Sequence, residues 1–444
     1  MQLDIWMESH DYAIGHLTRS DDLSLEFDYT SAYLEDESAV PISLGLPLLE
    51  GTLADKQCRA FFQNLLPEND QVEGLITREG LERNDIAGVL FHLGADCSGA
   101  VSCLPSGSGP YKKPGSFALD YDVLREGEIN EIVRCLAHKE PLPDRLKDPS
   151  PVAGVQRKIA LARFPDGRYA LPKVGSYAPT THILKVPQIS EQRDVYLECA
   201  AAKLAQICGI DTAVPTPEEF GDFKGLLIER FDRSVDAFGN VRRIHQEDFA
   251  QALGLAPILK YERHGNNRQK FDVMSIKRIL DQCVIPASAL QTFMHATFFN
   301  LAIGNNDNHA KNYALIYDVG PAPRISKMYD MLPIKLNKNY THELAYNIGG
   351  ATHAIDIKVE NYAAFFKVLG LSGAAATRYV NNHVSKLLET IDAHSREIFA
   401  EQNLKQFDDL FGEEAQRIID VLGIDLTLRE RDLYVQQAGG WASS

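Results

Sequence analysis

The chain has no Cys-x-x-Cys pair. Its seven cysteines stand apart at 58, 97, 103, 135, 199, 208 and 283. An odd, scattered set excludes a fully paired disulfide framework and gives no zinc-ligand spacing; it suits reduced thiols. No apolar stretch approaches the roughly 20 residues that cross a bilayer. Met1 to Trp6 carries no basic segment leading into an apolar run, so no secretory signal is expected. These absences predict a cytoplasmic chain with no membrane partner. Internal repeats and low-complexity tracts are also missing. Cations are in deficit: 45 Lys and Arg against 61 Asp and Glu give a net charge of −16. That balance argues against non-specific nucleic-acid binding through the whole surface, and leaves room for one local basic patch.

What is present is a dense polar stretch, Asn305-Asn306-Asp307-Asn308-His309-Ala310-Lys311-Asn312, between an apolar helix pattern ending at Gly304 and an apolar strand pattern from Tyr313. Polar loops on rigid scaffolds often carry chemistry. Asp307 and Asn312 reproduce D-x-x-x-x-N, the spacing of kinase catalytic loops. There the Asp takes the proton of the attacking hydroxyl and the Asn holds magnesium. A second acid, Asp330, follows Tyr329 after a predicted strand from Ala322 to Met328. One or two carboxylates plus phosphate oxygens are a usual magnesium set. The bland alternative is an Asn/Asp-rich turn bonding its own backbone.

The rest of the chain divides into three. Residues 1–104 read as a small α+β unit, with a strand through Leu23 to Tyr29 and a helix from Asp55 to Leu66. A Pro/Gly/Ser linker at 105–110 opens a second block, 105–232. Here Ser150 to Lys158 leads into a strand; it is neither a Walker A loop nor the G-x-G-x-x-G of protein kinases, and could equally be an exposed loop. Lys185 sits among apolar residues of a strand over 181–187, where a lysine needs a counter-charge. Glu198, on a helix predicted over Asp194 to Cys208, can supply it. Strand Lys followed by helix Glu is the order of the kinase ion pair. Gly225 to Arg233 reads as a strand running into charge. The third block, 233–444, is helical in pattern, with Ile244 to Gly254 as a helix, a polar stretch from Tyr261 to Lys270, and long helices over Ser288 to Ile303, Ala375 to Ala393 and Leu404 to Leu422. Gly439 to Ser444 is expected to fray.

Taken together, Ala153-Gly154-Val155-Gln156-Arg157-Lys158, Thr181 to Pro187, Glu229 to Arg233, His245 to Asp248, Gly304 to Asn312 and Tyr329-Asp330 resemble the HipA-type serine/threonine kinases of bacterial toxin–antitoxin pairs. The resemblance covers nearly the whole chain, reaching Leu65-Leu66-Pro67 and Gly99-Ala100-Val101. It implies an α+β, two-lobed protein-kinase-like fold with an extra N-terminal α/β subdomain and a helical C-lobe. It also implies ATP and magnesium (Mg2+) as cofactors. Asp307 would be the base, and Asn312 and Asp330 the metal ligands. Lys185, paired with Glu198, would hold phosphates. Ala153 to Lys158 would form the phosphate loop, and Glu229, Arg230 and Phe231 would frame the adenine. His309, Lys311 and Tyr329 would line the nucleotide site. The implied partners are a HipB-like DNA-binding antitoxin, operator DNA through it, and a protein substrate such as an aminoacyl-tRNA synthetase.

One departure concerns regulation. The family commonly carries an autophosphorylated serine two residues before the Ala-Gly of the phosphate loop; here Pro151 takes that place and Ser150 sits one step earlier. Two readings compete with the active kinase. One is a catalytically weak co-repressor that binds an antitoxin and operator DNA. The other is a metal-dependent nuclease, which would leave the Lys185/Glu198 order unexplained.

Overall fold

The computed structural model describes residues 1–8, 10–66, 70–146, 158–188, 191–401, 404–431, 434–437 and 440–443. Ser150, Pro151 and the predicted phosphate-loop residues Ala153 to Arg157 lie outside them.

The N-terminal unit is an antiparallel sheet in the order Leu25–Tyr29, Gly15–Arg19, Gln2–Met7, Val101–Pro105. Leu25, Phe27 and Tyr29 alternate inward along the edge strand, the two-residue period of a half-buried strand. Helix Asp55–Asn64 lays Cys58, Phe61 and Phe62 onto that face, the i, i+3, i+4 spacing of a helix stripe.

A second antiparallel sheet follows, in the order Thr216–Phe220, Phe223–Glu229, His182–Lys185, Lys158–Arg163, Tyr169–Pro172, Tyr121–Val123. It is covered on both faces. Helix Glu126–His138 packs Ile129, Ile132, Val133 and Leu136 against Ile159, Leu161, Leu184 and Leu227. Helix Asp194–Ile207 packs Val195 and Cys199 against Leu226 and Ile228. Neighbouring residues of Phe223–Glu229 therefore serve opposite layers, which is why that strand reads as an unbroken apolar run. A small sheet of Arg233–Val235, Asn240–Arg243 and Gly115–Ser116 draws strands from both sides of residue 232.

The third block is built on helix Pro286–Ile303, which starts with proline at its first turn, where the missing N–H costs nothing. It stops at Gly304, whose φ is +70°. A Cβ there would lie 2.8 Å from Leu410 of helix Lys405–Leu422, so glycine serves both the left-handed cap and the helix contact.

Three expectations need correction. Ile244 to Gly254 is not one helix: His245–Asp248 is a strand paired with Ala314–Tyr317, and only Phe249–Ala252 is helical. Burial of His245 and Glu247 in alternation selects the strand, and Asp248 then caps the helical turn by accepting the Gln251 N–H. The strand expected over Ala322 to Met328 shrinks to Arg324–Ile325, because Met328 bridges to Thr212 instead. The helix expected over Ala375 to Ala393 is interrupted by a π-turn at Val380–Val384. At the C-terminus Tyr434–Gln437 and Gly440–Ser443 pair as a hairpin, whereas Gly439 and Ser444 fall outside the described residues.

Candidate active site

The loop after Gly304 is held from within by its asparagines. Asn305 Nδ2 donates to Asn300 Oδ1 (2.9 Å), and its Oδ1 accepts the Asp307 N–H (3.1 Å). Asn306 Nδ2 donates to the His342 carbonyl (2.6 Å). Asn308 Nδ2 reaches the hydroxyls of Tyr313 (3.1 Å) and Tyr346 (3.3 Å). Asn312 Nδ2 donates to the Asp307 carbonyl (2.8 Å), closing the loop on itself. Buried amides with this many satisfied bonds fix a single loop shape. The turn-forming reading of the Asn/Asp run is thus true of Asn305 and Asn312, which bond the backbone of the loop, whereas Asn306 and Asn308 bond His342, Tyr313 and Tyr346. It does not account for Asp307, whose carboxylate accepts the Tyr261 hydroxyl at 2.6 Å, well outside the loop.

Across the cleft, Lys185 Nζ donates to Glu198 Oε1 (2.9 Å) and to Asp330 Oδ1 (2.6 Å). Lys185 and Asp330 lie 145 residues apart in sequence. Burial by itself would lower the lysine's proton affinity, but the two carboxylates outweigh it and hold the ammonium above its ordinary range. Asp330 moves the other way. The Lys185 charge, joined by Lys158 and His309, holds its carboxyl below the usual range. Burial raises Glu198, which shares the same cation. Asp307 is raised, first by burial and also by the negative charge of Asp330, with the Tyr261 hydroxyl pulling back. Two nearby carboxylates pushed in opposite directions is the pattern expected of one proton-accepting and one permanently charged acid.

Asp330 adopts φ of +57°, a left-handed backbone uncommon for a residue with a side chain. Such strain concentrates at functional sites. Asn312 and Asp330 line one small cavity with Asn300, Asn305, Asn308 and Tyr329. With Asn312 Nδ2 committed to the loop, its Oδ1 is the acceptor end left on a residue that shares this cavity with Asp330. These are hard oxygen donors, which suits a magnesium ion. Among the described residues no cluster of three or more His, Cys, Asp or Glu could hold a metal, so such an ion would draw its other oxygens from phosphate and water.

The remaining predicted residues are placed as follows. Lys158 opens its strand opposite Lys185. Glu229 is exposed at the end of its strand, paired with His182. Arg230 is buried on Asp232 (2.9 Å), which also takes Arg233 (2.8 Å). Phe231 stacks on Tyr329 at 5.6 Å, and the Tyr329 hydroxyl donates to the Lys311 carbonyl (2.8 Å). His309 sets its ring edge-on to Tyr261 at 5.1 Å. Lys311 turns its ammonium to Asn64 Oδ1 (2.9 Å) and Asp248 Oδ2 (3.3 Å). Tyr261, Asn64 and Asp248 are the residues that sequence reasoning missed as parts of this site. Tyr261 belongs to the stretch read only as polar, yet Lys260, just before it, accepts the Ala310 N–H through its carbonyl (3.0 Å).

Comparison with known proteins gives the family and the fold. Residues 3–104 match the model of the HipA N-terminal domain, and residues 150–395 that of the HipA-like C-terminal domain. A putative kinase, Y4mE, from Sinorhizobium fredii is 31% identical over 88% of this chain and 90% of its own length. The serine/threonine-protein kinase toxin HipA of Shewanella oneidensis is 30% identical over 78% of this chain and 81% of its own. Among solved structures, the Shewanella oneidensis toxin–antitoxin complex of HipA, HipB and operator DNA contains a chain that superposes with a TM-score of 0.76. That match has 24% identity and covers 95% of this chain and 98% of that one. The overall fold is therefore α+β and protein-kinase-like, with the added N-terminal unit. No helix among the described residues is long and apolar enough to cross a membrane.

Proposed function

On the premise that this chain belongs to the HipA family, whose members include a serine/threonine kinase toxin, we propose that it is an ATP-dependent protein kinase. It would transfer a phosphoryl group to a serine or threonine hydroxyl of a protein, arresting growth. The observation that carries this reading is the meeting of Lys185 with Glu198 and Asp330 opposite the loop of Asp307 and Asn312. ATP with magnesium would supply the γ-phosphoryl group and the charge that neutralises it. Lys185, held in place by Glu198, would bind phosphate oxygens. Asn312 and Asp330 would hold the ion. Asp307, with its raised proton affinity, orients the acceptor hydroxyl and takes its proton. The barrier falls mainly through positioning and fixed charge.

The same proposal gives the chain a HipB-like antitoxin as partner. The structural neighbour's own complex with HipB and operator DNA supports that partner, with operator DNA reached through the antitoxin. A surface with net charge −16 suits DNA contact made through a partner. The substrate class is an essential protein of translation, such as an aminoacyl-tRNA synthetase.

The test is incubation of the purified chain with labelled ATP, magnesium and a cell lysate. A labelled protein band is expected, falling roughly 10²–10⁴-fold in Asp307→Asn, the usual worth of a positioned base. Asp330→Asn is expected to weaken magnesium-dependent nucleotide binding as well. Undiminished labelling in Asp307→Asn refutes the role given to that residue.

A further inference from the structure

Helix Asp55–Asn64 of the N-terminal unit ends on a buried asparagine, 3% exposed. Asn64 Nδ2 donates to the Ala60 carbonyl of its own helix and to the Leu255 carbonyl of the third block, both at 2.8 Å. Both acceptors are carbonyl oxygens, so both amide hydrogens are used and the amide cannot be flipped. Its Oδ1 is therefore the atom that meets Lys311 Nζ at 2.9 Å. Lys311 lies four residues after Asp307 and 247 residues from Asn64.

The other groups on this lysine tie the contact to the chemistry. Lys311 is the central residue of the turn Ala310–Asn312. Its carbonyl accepts the Tyr329 hydroxyl, beside Asp330, and its ammonium lies 3.3 Å from Asp248 Oδ2. Its side chain is 9% exposed. A lysine this buried is directed by its partners. One of them, Asp248, is fixed by capping the turn Phe249–Ala252. The other is Asn64.

We propose that Asn64 of the N-terminal unit is a positioning residue for phosphoryl transfer, acting through Lys311 to set the turn that carries Asn312 between the loop and Asp330. This rests on the kinase reading above. It makes the N-terminal unit a working part of the active site, because one of its side chains fixes the far wall of the catalytic loop. Misplacement of a reacting group by about 1 Å can cost roughly 100-fold in rate, and loss of an outer-shell partner costs roughly 10- to 100-fold.

The experiment compares wild type, Asn64→Ala, Lys311→Met and the double variant, measuring kcat and KM for ATP in phosphoryl transfer alongside the melting temperature. The expected result is a fall in kcat of about 10- to 100-fold in Asn64→Ala, with KM for ATP changed far less. Asn64→Ala is expected to add nothing further in the Lys311→Met background. Asn64→Ala leaves two buried carbonyls without their donor, so some fall in melting temperature is expected either way; a purely structural role would give kcat losses that multiply in the double variant, and that outcome, or an unchanged kcat in Asn64→Ala, overturns the inference. If Asn64→Ala does not fold, Lys311→Met probes the same link while leaving both Asn64 amide bonds in place, and an unchanged kcat there overturns it equally. Absence of transfer by the wild type overturns the kinase reading and this inference together, whereas transfer at an undiminished rate in Asn64→Ala overturns the inference alone.

Discussion

Glu247 offers a test of how the N-terminal unit is joined to the kinase-like body. Its carboxyl is 1% exposed. It accepts the Leu44 N–H of the N-terminal unit (2.8 Å) and the Tyr317 hydroxyl of the body (2.6 Å). Burial pushes its pKa from 4.5 to about 7, only partly countered by these donors and the Ser43 hydroxyl, and the Asp248 charge adds to the rise. Between pH 4.5 and 7 the folded chain keeps a proton that the unfolded chain has released. Stability from this group is full below pH 4.5 and is lost as pH rises toward 7. The span corresponds to roughly 3 kcal/mol at about 1.4 kcal/mol per pH unit. Glu247→Gln keeps an oxygen for Leu44 and Tyr317 and removes the titration. Urea unfolding of both proteins from pH 5 to pH 8 should show the variant gaining on the wild type as pH rises, by up to that amount, with no further change above about pH 7. His182 and His245, both lowered to about 4 by burial, act in the opposite sense, since their stability contribution is lost as pH falls below 6.5. They are common to both proteins and cancel in the difference. A difference that stays flat across the range would refute a buried, proton-retaining Glu247.

Other outcomes follow from the same contacts. Glu8→Ala should destabilise the chain by roughly 3–5 kcal/mol in urea unfolding, because it removes the Glu8 carboxylate from the buried Arg243 guanidinium (2.7 Å) across the two units. A cost under 1 kcal/mol would show that water reaches the pair. Tyr261→Phe removes the hydroxyl that holds the Asp307 proton affinity down. The acid limb of the transfer-rate profile should therefore move to higher pH, and an unmoved limb would separate Tyr261 from the base.

Much of this site could be read from the sequence because its parts are local. Asp307 and Asn312 share one loop, so their spacing is written in the chain. Lys185 and Glu198 lie on consecutive elements, and a buried lysine demands an acid. The family resemblance rested on those same short motifs. The helix expected at Ile244 failed for the opposite reason: acids and glycine there imitate helix caps, while the partner strand that converts His245–Asp248 lies some seventy residues on, and register against it overrides local propensity.

By itself, then, the sequence determined the family and the lobed α+β plan, and it singled out the acids and the lysine of the candidate site, since each is carried by short-range pattern. Only the tertiary structure decided that Lys185 bridges to Asp330, that Tyr261 caps Asp307 and that Asn64 grips Lys311. Those contacts join residues 145, 46 and 247 positions apart. Hydrogen bonds act over about 3 Å of space, and nothing in local composition states which distant backbones the packed cores will bring that close.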